Sequence, residues 1–189
     1  TVYVDLDWAA LADGASVTPV YPAGAPAATF GFNAFDNLHD ALLAVSAGSA
    51  SAPSYVYVDA GTYSGTGSIL INKNWVSVKL NTGVGIQNAS PCFTVAADYV
   101  TIQAASLAGA KCVPTGDADG IIVTGARKNL TLEKFEIDGA GGDDGVYFDN
   151  VITDLVMVDL FIHDMTANGV LFAAQPVGIL DIHGNMFLD

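Results

Sequence analysis

The chain is 189 residues long and carries 20 acidic against 6 basic side chains, a net charge of −14. That excess repels phosphate backbones and argues against nucleic acid as a partner; the carboxylates must be screened by solvent and salt or have cations among them. Hydrophobic residues make up 51% of the chain, enough to bury a core, yet no apolar run approaches the roughly 18 residues of a membrane span. The longest candidate, GVLFAAQPVGILDI, is interrupted by Gln175 and Pro176.

The opening residues, TVYVDLDW, read as a strand, and residues 12–32, rich in Pro, Gly and Ala, read as an irregular surface loop. NAFDNLHDALLAV, residues 33–45, is helical in pattern. Asn33 is the expected N-cap, Phe35, Leu38, Leu42 and Val45 share one face, and Gly48 ends the helix. His39 reads as an exposed helix residue. YVYVDAGTY, residues 55–63, returns to strand.

A repeat then takes over. Segments opening at Gly120, Gly145 and Gly169 each begin with glycine and an alternating apolar run, and their starts lie 25 and 24 residues apart. Segments from Ser68 and Cys92 share the pattern. Ile71 precedes Val95 by 24 residues and Val95 precedes Val123 by 28, the extra length falling near Cys112 and Pro114. Within a unit the alternation is strand-like: Ile121 and Val123, Leu130 and Leu132, Phe135 and Ile137. Three short strands and three turns in about 24 residues make one coil of a solenoid. Stacked coils place Val95, Val123, Phe148 and Phe172 in one interior column and Gly120, Gly145 and Gly169 in a corner column, where positive φ or close backbone approach suits glycine. Strict register in the last unit points Asp181 inward. A shift of one residue buries Leu180 and Ile182 instead and is preferred, because an unpaired buried carboxylate is expensive.

Cys92 and Cys112, 20 residues apart, are expected to pair outside the cell, closing one loop for roughly 3 kcal/mol; two buried thiols are the alternative. The absence of an initiating Met and of a signal peptide is read as processing or as a choice of segment. Asn88-Ala-Ser90 and Asn129-Leu-Thr131 match the glycosylation sequon.

FDNLHDALLAV followed by YVYVDAGTY and glycine-apolar repeats resembles the N-terminal cap and first coils of right-handed parallel β-helix proteins of the pectate-lyase-like superfamily, and TVYVDLDW resembles the opening of bacterial secreted β-helix domains of surface and adhesin-like proteins. The resemblance covers most of the chain. It implies an all-β, right-handed parallel β-helix with an N-terminal capping α-helix, residues 1–66 forming strand, loop and cap and 67–189 the coils. It does not fix an activity, because the fold carries lyases, hydrolases and silent adhesins alike.

Within that family polygalacturonases carry acidic motifs on successive coils. Here DADG (117–120), GDDG (142–145) and ANG (167–169) occupy the corresponding corner, so Asp119, Asp143 and Asp144 are the catalytic candidates if the chain is a polysaccharide hydrolase or lyase. The likeness stops there: the expected histidine is Asn168, and Arg127 is the chain's one arginine, a poor complement for a uronate. The same aspartates are ordinary turn chemistry. Asp138, Asp143 and Asp144 on a glycine-rich segment also offer a calcium site, the one cofactor expected if there is any. His163, His183 and Asp181 lack a fixed third-ligand spacing for zinc. GTGSI and GVGIQ are not followed by a helix, which argues against a phosphate loop.

The expectation is a secreted structural or adhesive module of a cell-surface or extracellular assembly, filamentous if its C-terminal end stacks on further coils or other copies. A polysaccharide-active enzyme is the alternative. A glycan-binding module using Tyr99 or Tyr147 is the third reading, with core packing the preferred role for both rings.

Overall fold

In the computed structural model, which describes residues 1–65, 67, 69–88, 90–107 and 109–188, the chain winds into a parallel β-helix. The predicted repeat start at Ser68, the domain limit at residue 66 and the final Asp189 lie outside the described residues. Five full coils each give one strand to three sheets. Sheet B stacks Ile69–Ile71, Phe93–Val95, Ile121–Val123, Val146–Phe148 and Val170–Phe172. Sheet A takes Val76–Leu80, Val100–Ala104, Arg127–Glu133, Ile152–Val158 and Val177–His183, and extends at its other end through Ser54–Val58 and Val2–Val4 to Ala34–Phe35. Sheet C runs from Gly61–Gly65 through Val84–Asn88, Ala110–Pro114, Glu136–Asp138 and Phe161–His163 to Met186–Leu188.

All pairing between coils is parallel, so like positions stack. The predicted column exists: Ile71, Val95, Val123, Phe148 and Phe172 are successive partners in sheet B. The rings of Phe148 and Phe172 stack with centroids 4.7 Å apart. Val78, Ile102, Leu132, Met157 and Ile182 form the matching column of sheet A. Alternation along each strand sends every second residue into this shared interior, which is why a period of two in sequence becomes one continuous core.

The corners use backbone that most residues avoid. Trp75, Tyr99, Asn129 and Asp154, equivalent residues of four coils, have φ of 61°, 59°, 55° and 59°. A left-handed conformation costs a residue with a β-carbon roughly 1–2 kcal/mol. At the first two coils, face-to-face stacking of Trp75 on Tyr99, centroids 3.7 Å apart, offsets part of that cost. Lys128 caps the stack with its ammonium 5.2 Å from the Tyr99 ring centre.

The last unit shifts register as preferred from sequence. Thr153 pairs with Val177, but Leu155 pairs with Leu180 and Met157 with Ile182. Asp181 therefore turns outward, where its carboxylate meets His183 Nδ1 at 2.7 Å. With no coil beneath them among the described residues, Leu180 and Ile182 remain 47% and 41% exposed.

The N-terminal region differs in detail from its sequence pattern. The helix, α1, spans Leu38–Ala44 and is capped by Asn37, not Asn33. Ala34 and Phe35 are drawn into sheet A beside Tyr3 and Val4, which leaves Asn33 in a turn where its Oδ1 accepts the Thr29 N–H. Asn37 Oδ1 accepts the Asp40 N–H at 2.8 Å, satisfying one of the free donors of the first turn. The helix ends at Val45, before Gly48. It still covers the end of the barrel: Leu38, Ala41 and Leu42 join the main core. The loop of residues 12–32 contains a small antiparallel pair, Ser16–Val17 with Ala28–Thr29, and Trp8, Tyr3, Val17, Ala28 and Ala34 make a second small core beneath it.

Candidate functional site

The acidic corner is built from equivalent residues of three coils. Asp119, Asp144 and Asn168 each precede a glycine of the column Gly120, Gly145 and Gly169. Asp119 Oδ1 accepts the backbone N–H of Asp144 at 3.0 Å. Asp144 Oδ1 in turn accepts the backbone N–H of Asn168 at 3.0 Å and its side-chain Nδ2–H at 2.8 Å. Each side chain thus holds the next coil, and the backbone ladder runs beside it, with Gly120 N–H donating to Asp144 and Gly145 N–H to Asn168.

Close approach, rather than positive φ, is what requires glycine here. A Cβ on Gly120 would stand 2.5 Å from the Gly145 carbonyl oxygen and 2.5 Å from Ile137 Cγ2; on Gly145 it would meet Gly169 and Ile162 in the same way.

The structure brings Asp119, Asp143 and Asp144 together, with one carboxylate oxygen of each within 4.8 Å of the others. Asp144 is 3% exposed, Asp143 exposed. Burial raises the pKa of Asp119, the neighbouring charges of Asp144 and Asp143 raise it further, and the bond from the Asp144 N–H opposes them. The oxygens lie closer than the roughly 6.5–9.5 Å that an inverting acid and base keep between them to admit water. Asp138, expected with this pair, sits in another group.

That second group lies on the outer face of sheet C. Lys111 Nζ is 3.0 Å from Glu136 Oε1 and 2.5 Å from Asp138 Oδ2. His163 Nε2 meets Glu136 Oε1 at 3.0 Å, and its Nδ1 meets Asp164 Oδ2 at 2.8 Å. The Phe161 ring stacks on the imidazole at 4.3 Å. Burial pulls His163 down, but the bonds to Asp164 and Glu136 and the nearby carboxylate charges prevail, and its pKa is raised. The hydrogen bond to Asp138 leads in raising Lys111. Burial acts first on Asp138, upward, yet Lys111 holds it below the ordinary carboxylate value. Glu136, Asp138 and His163 also present ligand atoms within 4.8 Å of one another. A signal for this group was present in sequence: Lys111 and Glu136, like Asp138 and His163, are 25 residues apart at outward-facing steps of the repeat.

The two candidate rings are placed differently from expectation. Tyr99 and Tyr147 are half-buried on outer surfaces, not in the core. Tyr99 belongs to the Trp75 stack, and Tyr147 lies between Ile122 and Leu171 on sheet B. His183 binds Asp181, while His163 binds Glu136 and Asp164. Cys92 and Cys112 form the expected disulfide, with Cα atoms 5.9 Å apart. The side chain of the sequon residue Asn88 is 2% exposed, which closes it to glycosylation in the folded state.

No protein-family model matches the chain, and no curated protein matches it. Among solved structures, a pectin methylesterase variant in complex with hexasaccharide IV is similar with a TM-score of 0.41 and 14% identity, over 75% of this chain and 63% of that one. The chain thus spans less than two thirds of that protein.

Proposed function

We propose that the chain is a rigid β-helical scaffold of an extracellular or cell-surface assembly, structural or adhesive rather than catalytic. The observation that carries this reading is the use made of the acidic corner. Asp119 and Asp144 each commit a carboxylate oxygen to the backbone N–H of the next coil, so the residues best matched to catalysis are tied into holding coils together. The disulfide fits an oxidising compartment, and no helix among the described residues is long and apolar enough to cross a membrane.

In this reading the last coil is a contact surface for another coil, from further β-helix or from another copy. Leu180, Ile182, Phe187 and Leu188 are exposed there, and the strands have unpaired edges among the described residues. Since α1 closes the opposite end, two copies meet tail to tail as a closed pair. Surface glycans are the proposed ligands of the outer faces, where the half-buried rings of Tyr55 and Tyr57 stack on sheet A and Tyr21 of the N-terminal loop packs edge-on against Tyr57.

The test is incubation with polygalacturonate, methyl-esterified pectin and neutral glycans, reading reducing ends, unsaturated-product absorbance and released methanol. No turnover is expected. Turnover abolished by Asp144→Asn with the fold retained would replace the scaffold reading with the enzymatic one. A polysaccharide-active enzyme also has the sheet C group in its favour, because Lys111, Glu136 and Asp138 line an open groove. Turnover lost in Glu136→Gln and kept in Asp144→Asn would locate it there.

A further inference from the structure

On the outer face of sheet A lies an open cleft of about 360 Å³, lined by the loop that follows α1 and by the corners and strands of the first coils. Ala50 and Pro53 come from the loop, and Trp75 and Tyr99, both half-buried, come from the corners. The loop is fixed to the first corner: the Gly48 N–H donates to the Asn74 carbonyl at 3.0 Å and the Ser54 N–H to the Trp75 carbonyl at 2.9 Å.

Two independent features mark this cleft. The first is the choice of residue at its corners. Trp75 and Tyr99 hold φ of 61° and 59°, left-handed backbone that is an outlier for a bulky side chain. Their stacking offsets part of the strain, but the fold does not need rings here, since Asn129 and Asp154 turn the same corner one and two coils later with side chains that tolerate it. Backbone outliers of this kind cluster at ligand-binding sites.

The second feature is a set of unspent polar groups. Val76 and Val78 enter the core, so Ser77 between them turns to the outer face. Ser77, Thr101 and Thr131 are successive partners across sheet A, which repeats a hydroxyl at about the 4.8 Å strand spacing. Neither these hydroxyls nor the Asn129 side-chain amide makes a hydrogen bond among the described residues, and all four residues line the cleft. Thr101, Thr131 and Asn129 are half-buried and within reach of a ligand, while Ser77 lies deeper at 7% exposure. The neighbouring outward column is satisfied by contrast: Lys79 is bonded to Gln103, and Gln103 Nε2 to Glu133 Oε2 at 2.7 Å.

We propose that this cleft binds one pyranose ring of a neutral glycan, with the apolar C–H face of the sugar against the Trp75–Tyr99 pair and its hydroxyls on Thr101, Thr131 and Asn129. Small-ligand sites combine aromatic lining with a few placed polar groups, and the volume lies in the lower part of their roughly 300–1,000 Å³ range. None of the described residues that line the cleft carries a charge, while the chain as a whole carries −14, which disfavours a uronate. Tyr55, part of the surface proposed above for glycans, is the direct strand partner of Ser77, so the cleft adjoins that surface. The inference rests on the glycan reading and gives it a site, apart from the acidic corner and the sheet C group.

The experiment uses the ¹⁵N-labelled chain and three neutral probes, methyl β-D-glucopyranoside, methyl β-D-galactopyranoside and methyl α-D-mannopyranoside, with galacturonate as the charged counterpart. At least one neutral glycoside is expected to move the Trp75 indole N–H and the Asn129 side-chain NH₂ pair saturably, and galacturonate to move them less. Trp75→Asn gives the corner the residue type that Asn129 supplies two coils later, and is expected to weaken binding about tenfold, read on Asn129 and the Thr101 amide. Thr101→Val, a near-isosteric change on the outer face, is expected to weaken it about threefold and keeps the test decisive if Trp75→Asn does not fold. Saturable shifts at Tyr55 and Tyr57 with none at Trp75 and Asn129 would overturn the cleft and leave the glycan reading standing; no shift with any glycoside would overturn both. Undiminished binding in the folded variants, or a stronger response to galacturonate, would also overturn the proposal.

Discussion

Cys92 stands one coil before Gly120 in register, and its disulfide to Cys112 spans the same corner at which a Cβ on Gly120 would strike Ile137. The N–H of Cys92 donates to the Gly120 carbonyl at 2.8 Å, so the two residues share one column. One coil closes this corner with a covalent bond. The next two close it with glycine against isoleucine, Gly120 with Ile137 and Gly145 with Ile162.

The first prediction follows from that substitution of chemistry. Cys92→Ala with Cys112→Ala is expected to lose roughly 3 kcal/mol of unfolding free energy. Cys92→Gly with Cys112→Ile rebuilds the packing of the following coil and is expected to recover part of the loss, as measured by urea unfolding. Gly145→Ala places a Cβ 2.4 Å from the Gly169 carbonyl oxygen and is expected to cost about 1–3 kcal/mol. A neutral Gly145→Ala would show that the corner is looser than described.

Core truncations should grade along the solenoid. Leu132→Ala removes a fully buried side chain between Ile102 and Met157 and is expected to cost about 2–5 kcal/mol. Leu180→Ala, in the uncovered last coil, is expected to cost less than half as much. Chemical unfolding of both variants checks the order, and equal costs would mean that the last coil is covered in solution.

The solenoid was legible because its signal is repeated. Ile71, Val95, Val123, Phe148 and Phe172 state one column five times, and even the register shift at Leu180 could be read from the cost of burying Asp181. The cap was less legible because its pattern occurs once. Phe35 fits a helical face by spacing, and only the pairing of Ala34–Phe35 with Tyr3–Val4 decides otherwise. At the acidic corner the structure brings together Asp119, Asp143 and Asp144, the three catalytic candidates, whereas Asp138, offered with Asp143 and Asp144 for calcium, lies near Glu136 and His163. Asp138 lies on a sheet C strand and is held by Lys111, a residue 27 positions earlier that proximity in sequence does not reveal.

His163 sets a pH dependence. Its folded pKa lies above the ordinary imidazole value of 6.5, so the folded chain binds a proton more readily than the unfolded one there. The resulting stability is fully present below 6.5 and is lost as pH rises through the folded value. Thermal unfolding from pH 5 to 9 is expected to show a fall above 6.5 that His163→Gln lacks. Asp119, also raised, has the same sign: the protonated form favours the fold, and that contribution is lost as pH rises above 3.8. A rise in stability across the imidazole window would contradict the Glu136 and Asp164 contacts.

Calcium at the acidic corner is a proposal resting on the shared proximity of Asp119, Asp143 and Asp144. Burial is the main cause that raises Asp119, and a cation there would relieve the smaller contribution from the Asp144 and Asp143 charges. Millimolar calcium is expected to raise the melting temperature of the wild type by a few degrees, and Asp143→Asn to remove most of that rise. Asp143 is the exposed member of the group, which makes Asn a mild change. An equal rise in both proteins would assign the effect to general screening of the −14 charge.

The register between coils brings every interior column and both outer-face groups together. Thr131 and Val156 are direct partners across neighbouring strands of sheet A, and both face outward. Parallel neighbours sit about 4.8 Å apart, within reach of a disulfide. Thr131→Cys with Val156→Cys, oxidised under native conditions and mapped by peptide mass spectrometry, is predicted to close rapidly while the Cys92–Cys112 bond stays intact. Thr131→Cys with Val158→Cys, two residues out of register, is predicted to close far more slowly. Faster closure of the out-of-register pair would contradict the coil stacking described here.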